Sequence, residues 1–578
     1  MTEICRIVRI DGYHEVHMRF PTAGHLQHTA ARFLVSLLAA LLALAVLASS
    51  SAGSQEVRVQ QQAGGAPAGP AKLLAGLGNH HQAITTRSPQ AQRFFDQGLS
   101  LAYAFNHAEA ARSFREAARL DPQCAMCHWG VAFVLGPNIN AAMDTAVVRE
   151  AYAAAQRAVA LADAASARER AYVAALARRY APTPAIARAP LDTAFANAMR
   201  EVARSYPDDV DAATIYAEAT MDLSPWYYWN ADGSPRPGTS DVLGALEGVL
   251  KRNPNHPGAC HYYIHLVEAL YPERAIACAE RLAALMPAAG HIVHMPGHIY
   301  IRVGRYNDAV EANVHAVHAD ETYIADQRPQ GIYPLAYYPH NYHFMAFAAT
   351  MAGRGAQAVD AARNVVRNVP VDVAAVVPEL QLLVPFAHLT LASFGRWDEV
   401  LAEPAPPASL RFPTAMVYYA RGVALAAKGR LPAAGMALDS LRVIAAGISS
   451  SPHKEVAQIA VEALQGEIHA RRGLTDGAIR HFRAAMAIED GLSYMEPPYW
   501  HYPIRHSLGA ALLRAGRASE AEVVYREDLK RFPENGWSLL GLRQSLVARG
   551  KAAEADAVGR RFEKAWRMAD VALRASRF

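Results

Sequence analysis

The segment GHIVHMPGHIY, residues 290 to 300, places His291, His294 and His298 within eight residues. Side chains three and four positions apart lie on the same face of an α-helix, so these imidazoles are predicted to form one stripe. Imidazole suits zinc, copper, iron and nickel, and three protein ligands beside an open coordination position are typical of a catalytic metal site. The spacing therefore predicts a divalent transition metal, either zinc, copper or iron.

Pro296 interrupts the stripe of histidines. A proline inside a helix removes a backbone hydrogen bond and costs about 3 kcal/mol. We expect it to bend the helix and re-aim the imidazoles, because local rules are broken where function requires it. Alternatively, Pro296 begins a new helix at its first position. His291 and His294 would then lie on the preceding turn, and the stripe would be broken.

Further histidines occur in the segments on either side, HYYIH and YYPHNYHF. The whole set of predicted metal ligands is His261, His265, His291, His294, His298, His340 and His343. Three carboxylates are candidates to orient these ligands or to act as a general base: Glu218, Asp222 and Glu268. Two interpretations without metal remain open. The histidines would then hydrogen-bond a peptide, protein or small-molecule ligand, or would be buried structural residues.

The elements that position these histidines are predicted from internal repeats. Turns that begin with glycine recur, and the intervals from Gly395 to Gly429 and from Gly516 to Gly550 are both 34 residues. A 34-residue period of helix, turn and helix is the tetratricopeptide signature. The sequence therefore predicts an all-α, right-handed superhelical solenoid of antiparallel helix pairs over residues 71–578. In this register the histidines of successive repeats face the concave groove.

The N-terminal region is predicted to lie outside the solenoid. Residues 33–48, FLVSLLAALLALAVLA, form an apolar run that is short for a membrane span and suits a signal peptide. We assign residues 1–52 to a signal peptide or an uncleaved N-terminal anchor, and residues 53–70 to a flexible linker. The mature chain is expected to be exported, either periplasmic or secreted, and without a membrane span. A net charge of +4, mixed along the chain, gives no reason to expect nucleic acid.

Four of the cysteines lie in informative positions. Cys124, Cys127 and His128 match the C-x-x-C-H pattern of covalent haem attachment. However, the repeat register places this motif at the start of a packed helix, so we expect a local Cys124–Cys127 disulfide rather than haem. Cys260 and Cys278 fall at opposed positions of one helix pair, which predicts a second disulfide in an oxidising compartment.

Several stretches resemble a group of exported bacterial tetratricopeptide proteins. They include CAMCHWGVAFVLGPNIN, HPGACHYYIHLVEA, HIVHMPGHIYIRVGRY and YYPHNYHF, and the resemblance covers nearly all of residues 75 to 560. It implies the repeat fold and export, but it implies no reaction. Metal binding, with metal-assisted chemistry on a bound ligand, is thus the leading functional hypothesis. A metal-free scaffold for a protein or peptide is the alternative, and whether the protein is an enzyme stays open.

Overall fold

The computed structural model describes residues 70–184, 186–329 and 331–578. Within these ranges the chain is helical, and its only β-type pairings are the isolated bridges Asn138–Ala141 and Trp229–Pro235. The signal-peptide prediction lies outside the described residues, as does the linker except for Pro70. None of the helices in the described ranges combines the length and the apolarity needed to cross a bilayer.

The α-helices before the histidine-rich region are α1 (Pro89–Tyr103), α2 (His107–Leu120), α3 (Ala125–Val134), α4 (Val148–Leu161), α5 (Ala167–Ala177), α6 (Arg188–Ser205), α7 (Val210–Met221) and α8 (Thr239–Arg252). The central helices are α9 (Pro257–Val267), α10 (Ile276–Leu285), α11 (Gly290–His294), α12 (Pro296–Arg302), α13 (Tyr306–Gln327), α14 (Tyr338–Ala352) and α15 (Gly355–Arg367). The remaining helices are α16 (Val371–Val376), α17 (Phe386–Ser393), α18 (Trp397–Ala402), α19 (Arg411–Ala427), α20 (Leu431–Ala446), α21 (His453–Arg471), α22 (Thr475–Asp490), α23 (Ile504–Arg514), α24 (Ala518–Arg531), α25 (Gly536–Ala548) and α26 (Ala552–Ala565). Short 3₁₀ turns lie at Thr145–Val147, Ala162–Ala164, Pro272–Ala275 and Pro378–Leu382, and a π-helical segment covers Tyr333–Tyr337.

The predicted glycine turns connect the two helices of successive pairs. Their φ angles all lie between 67° and 78°, a left-handed conformation that glycine adopts without a steric penalty. The glycines concerned are Gly304, Gly353, Gly395, Gly429, Gly473, Gly516 and Gly550. Consecutive helices pack against each other along the chain, as in α1 with α2 and α14 with α15. The predicted all-α tetratricopeptide solenoid is thus confirmed.

Small residues allow the helices of neighbouring pairs to approach closely. Phe114 of α2 is fully buried between Gly98 of α1 and Gly130 of α3. A Cβ atom at Gly98 would lie 2.8 Å from the Phe114 ring, and one at Gly130 would lie 2.2 Å from it. The two glycines therefore accommodate an aromatic side chain that links the first repeat to the second.

The last repeats pack against helices from the middle of the chain. The indole of Trp537 donates a hydrogen bond to the carbonyl oxygen of Thr350 at 2.8 Å, and Trp566 packs against Gly353. Asp570 accepts hydrogen bonds from two backbone amides at the start of α15. This winding brings the segment around residue 496 over the histidine-rich helices. It therefore adds a wall to the site from a distant part of the sequence.

Candidate metal centre

The proline in GHIVHMPGHIY divides the segment into α11 and α12, which meet at Met295. Pro296 takes the first position of α12, while the Met295 backbone keeps helical angles (φ −53°, ψ −34°). Both sequence interpretations are therefore partly right, because a second helix begins at the proline but the chain only bends there. The bend divides the predicted stripe: His294 and His298 remain together, whereas His291 joins histidines from the preceding repeat.

The first histidine group consists of His261 and His265 from α9 and His291 from α11. The Nε2 atom of His261 lies 3.1 Å from Nε2 of His265 and 3.1 Å from Nε2 of His291. Zinc–nitrogen bonds of about 2.0–2.1 Å in a tetrahedral site separate ligand atoms by about 3.4 Å. The two nitrogen pairs that include His261 are thus slightly closer than one ion requires, and the three buried ligand atoms lie within 4.8 Å of one another.

The opposite nitrogens of this group fix where the protons lie. Nδ1 of His261 lies 2.6 Å from the carbonyl oxygen of Tyr103, and Nδ1 of His265 lies 3.4 Å from Oε1 of Glu268. Since these oxygens only accept, each Nδ1 carries the proton and each Nε2 presents a lone pair. Burial, reinforced by neighbouring imidazoles, lowers the pKa of both histidines well below the usual value, so both rings are neutral.

The second histidine group consists of His294, His298 and His340. Nε2 of His294 lies 2.9 Å from Nε2 of His298, and the ring centroids of His294 and His340 are 4.9 Å apart. Asn313 donates its amide to the carbonyl oxygen of Ala309, so its Oδ1 faces Nδ1 of His294 at 2.7 Å. That contact places the His294 proton on Nδ1, so its Nε2 presents a lone pair toward Nε2 of His298.

Two buried carboxylates lie against the second group. Nδ1 of His298 lies 2.9 Å from Oε2 of Glu268 and 3.1 Å from Oε2 of Glu496. Burial works to lower the pKa of His298, but the two carboxylates outweigh it and raise this pKa to about 9. Glu268 therefore contacts one histidine of each group, with one oxygen for each. Such carboxylate–histidine contacts are common around protein-bound metals.

A cavity of about 320 Å³ lies beside both histidine groups. Imidazoles of His265, His291, His298 and His340 form one side of it. Most of its other walls are apolar, and they include Leu380, Leu383, Phe386, Leu389, Phe412 and Met416. Two loops rich in aromatic residues and proline contribute to it as well. Trp226 packs edge-on to His265 at 5.0 Å, and residues 495–499 form a further wall.

Comparisons with known proteins identify no family for this chain. No protein-family model and no curated protein matches it. Among solved structures, the human IFIT1 dimer with m7Gppp-AAAA is 12% identical, with a TM-score of 0.33 over 83% of this chain and 91% of that one. Cut9 with Hcn1, an APC/C hetero-tetramer, is 12% identical, with a TM-score of 0.26 over 82% and 87%. Yeast Tom70 is 13% identical, with a TM-score of 0.26 over 83% and 92%. Similarity this low carries no argument about function.

Three other candidates lie outside the two histidine groups. His343 lines the cavity and packs edge-on against Phe386, with ring centroids 4.3 Å apart. Glu218 and Asp222 belong to a buried ion cluster, in which Arg179 Nη2 lies 2.8 Å from Asp222 Oδ2. Of the three predicted orienting carboxylates, only Glu268 contacts the histidines. Of the other two, Asp222 forms an ion pair with Arg179, and Glu218 lies buried beside that pair.

The CAMCH motif forms a local disulfide. Cys124 and Cys127 are bonded to each other with Cα atoms 5.3 Å apart, and both are buried at the start of α3. His128 lies with Nε2 3.3 Å from the carbonyl oxygen of Pro122, and Trp129 is fully buried against Phe133. The predicted disulfide is therefore present, and both sulfur atoms of the haem-attachment pattern take part in it.

Cys260 and Cys278 are free buried thiols in this structure. They face each other across the α9–α10 pair, and the hydrogen bond between the two thiols, together with burial, favours the protonated form of Cys260 and raises its pKa. The opposed positions inferred from the repeat register are thus brought together. The bond between them is not formed, so the second disulfide stays a prediction for oxidising conditions.

A polar network that the sequence did not reveal supports the first group. Oδ1 of Asp211 lies 2.9 Å from Nε2 of His80, 3.1 Å from Nε2 of His256 and 2.6 Å from the hydroxyl of Tyr103. His256 also accepts a hydrogen bond from the backbone of Ala259, so both of its nitrogens are engaged. The network therefore holds Tyr103, whose carbonyl oxygen orients His261, rather than forming a metal site. Only the position of His256 before Pro257, at a helix start, could have signalled its capping role.

Proposed function

We propose that this protein binds a transition-metal ion through His261, His265 and His291 and uses it on a small molecule in the adjoining cavity. The observation that carries this proposal is that Nε2 of His261 lies 3.1 Å from Nε2 of both His265 and His291. With the protons of His261 and His265 on Nδ1, the two Nε2 lone pairs face each other at 3.1 Å and repel. A cation between the rings removes the repulsion and satisfies all three nitrogens.

The donor set favours particular metals. Imidazole nitrogens suit zinc, copper and iron, whereas magnesium and calcium prefer oxygen ligands. Three protein ligands leave a coordination position open, and His265 and His291 also line the cavity. A bound ion would polarise a ligand there or activate a water molecule. The enclosing loops favour a small molecule over an extended peptide.

Metal analysis of the protein tests this proposal directly. The protein would be purified without a histidine tag, and its metals would be counted by plasma mass spectrometry before and after equilibration with zinc or copper. We expect at least one tightly bound ion per chain, and its loss in the His261→Ala/His291→Ala variant. Circular dichroism would verify that the variant keeps its helices. A wild-type chain that retains no ion after equilibration would favour the metal-free scaffold.

A further inference from the structure

We infer that the centre holds two ions, the second bound by His294, His298 and His340. This inference rests on the proposed function, because it assigns a second site beside the first. The three ligand atoms lie within 4.8 Å of one another. The second group also repeats the plan of the first: paired Nε2 atoms face each other, while Nδ1 atoms contact oxygens of neighbouring residues.

The buried negative charge beside His298 favours a cation at the second group. Glu268 and Glu496 are both buried, and their carboxylates approach the histidine rings from the side opposite Nε2. Their nearest permanent positive charge among the described ion pairs is Arg302, with Nε 3.6 Å from Oε1 of Glu496. Buried carboxylates require compensation by positive charge. In the metal-free chain the imidazolium of His298, which both carboxylates contact, supplies part of it. A metal ion that replaces the proton on Nε2 of His298 would keep a positive charge at the same ring.

Both histidine groups line the same cavity with two of their three residues. His265 and His291 of the first group line it, and so do His298 and His340 of the second. Each group thus contributes two imidazoles to the same chamber and keeps its third ligand behind them. One small ligand with an apolar body and a single oxygen or nitrogen donor could therefore reach both ions. Two ions that face one substrate form a recurrent arrangement in metal-assisted catalysis.

Cobalt(II) is a suitable probe, because it takes zinc sites and absorbs visible light when bound. Metal-free protein would be titrated with cobalt(II), and the break in absorbance would give the number of sites. We expect two equivalents for the wild type and one for His294→Ala/His340→Ala. His340→Phe removes one metal ligand and keeps an aromatic ring in its place. It therefore gives the number of sites without the second group if the double variant fails to fold. We expect it to bind one equivalent tightly.

Two control variants separate this centre from other histidines. His343→Ala alters the cavity outside both groups, and His315→Ala/His318→Ala removes an exposed pair on α13. Both should keep two equivalents. If the His315→Ala/His318→Ala variant binds one equivalent fewer, the second ion binds at the surface, and the second site is overturned.

Failure of the second site is distinguishable from failure of the first. A wild-type break at one equivalent, unaffected by His340→Phe but abolished by His261→Ala/His291→Ala, would overturn the second ion and leave the proposed function standing. Absence of cobalt binding in the wild type would overturn both.

Discussion

Glu268 Oε2 and His298 Nδ1 lie 2.9 Å apart, with both residues buried. Glu268 directly follows α9, whereas His298 belongs to α12 in the next repeat. The other oxygen of the same carboxylate faces His265. This residue therefore couples the orientation of two imidazoles that belong to different histidine groups.

Replacement of Glu268 by glutamine should weaken metal binding at both groups. An amide offers one acceptor and one NH₂, so one of the two Nδ1–H groups would face a donor. We expect affinity to fall by about 10- to 100-fold, the usual effect of removing a residue that orients a ligand. Competition for zinc with a chromophoric chelator would measure it. Glu280→Gln is the control, since Glu280 is exposed. Unchanged affinity in Glu268→Gln would contradict the role of this carboxylate.

Replacement of Asn313 by alanine should affect the second group alone. The change removes the acceptor that lies 2.7 Å from Nδ1 of His294. We expect about a 10- to 100-fold loss of affinity for the ion bound by the second group, with the other ion unaffected. Asn313→Asp keeps an oxygen at this position and should restore much of the binding. Equal losses at both ions in a stepwise zinc titration would show that the two groups are not separate sites.

Asp320 should make stability fall as pH rises through the acidic range. Burial raises its pKa to about 7, against the opposing hydrogen bonds from Tyr333 and Asn341. Between about pH 4 and pH 7 the unfolded chain loses this proton while the folded chain keeps it, so unfolding becomes easier. We expect Asp320→Asn to gain stability relative to the wild type over this range, at about 1.4 kcal/mol per pKa unit at most.

Urea unfolding at several pH values would measure this gain. Asp326→Asn, an exposed change on the same helix, is the matched control. Parallel stability profiles for wild type and Asp320→Asn would show that the buried carboxyl does not titrate as inferred.

Oxidation should join Cys260 to Cys278. The two thiols are already in contact, and a bond between them would close a loop that adds about 3 kcal/mol to the free energy of unfolding in the chain-entropy model. Peptide mapping of oxidised, unreduced protein should find these two residues cross-linked, and the melting temperature should fall on reduction. Cys260→Ser should show no such fall from this pair. Both thiols alkylated in denatured, unreduced protein would contradict the prediction.

The sequence is sufficient to predict the helix pairs and the clustering of the histidines, because both depend on local periodicity. The glycine turns and the i, i+3, i+7 spacing indicate helix pairs and the face on which each imidazole lies. The sequence does not predict the division of His291 from His294, because that depends on the bend at Met295 and on the neighbouring repeat.

Contacts between distant parts of the chain cannot be predicted from the sequence either, because they depend on how the repeats wind. Glu496 reaches His298 only because the solenoid winds back on itself, and Asn313 reaches His294 from the second helix of its own pair. A repeat register gives the position of a residue within its repeat. It does not give the superhelical pitch that decides which remote repeats meet.

The contact between Trp537 and Thr350 should make the protein sensitive to deletion of its C-terminal repeats. An open repeat array loses stability by roughly one increment for each terminal repeat removed, since each repeat touches only its neighbours. Here the terminal repeats also support the middle of the chain and hold Glu496 near the histidines. Deletion from the C-terminal side should therefore expose the interior of the central repeats at once, in a single cooperative loss.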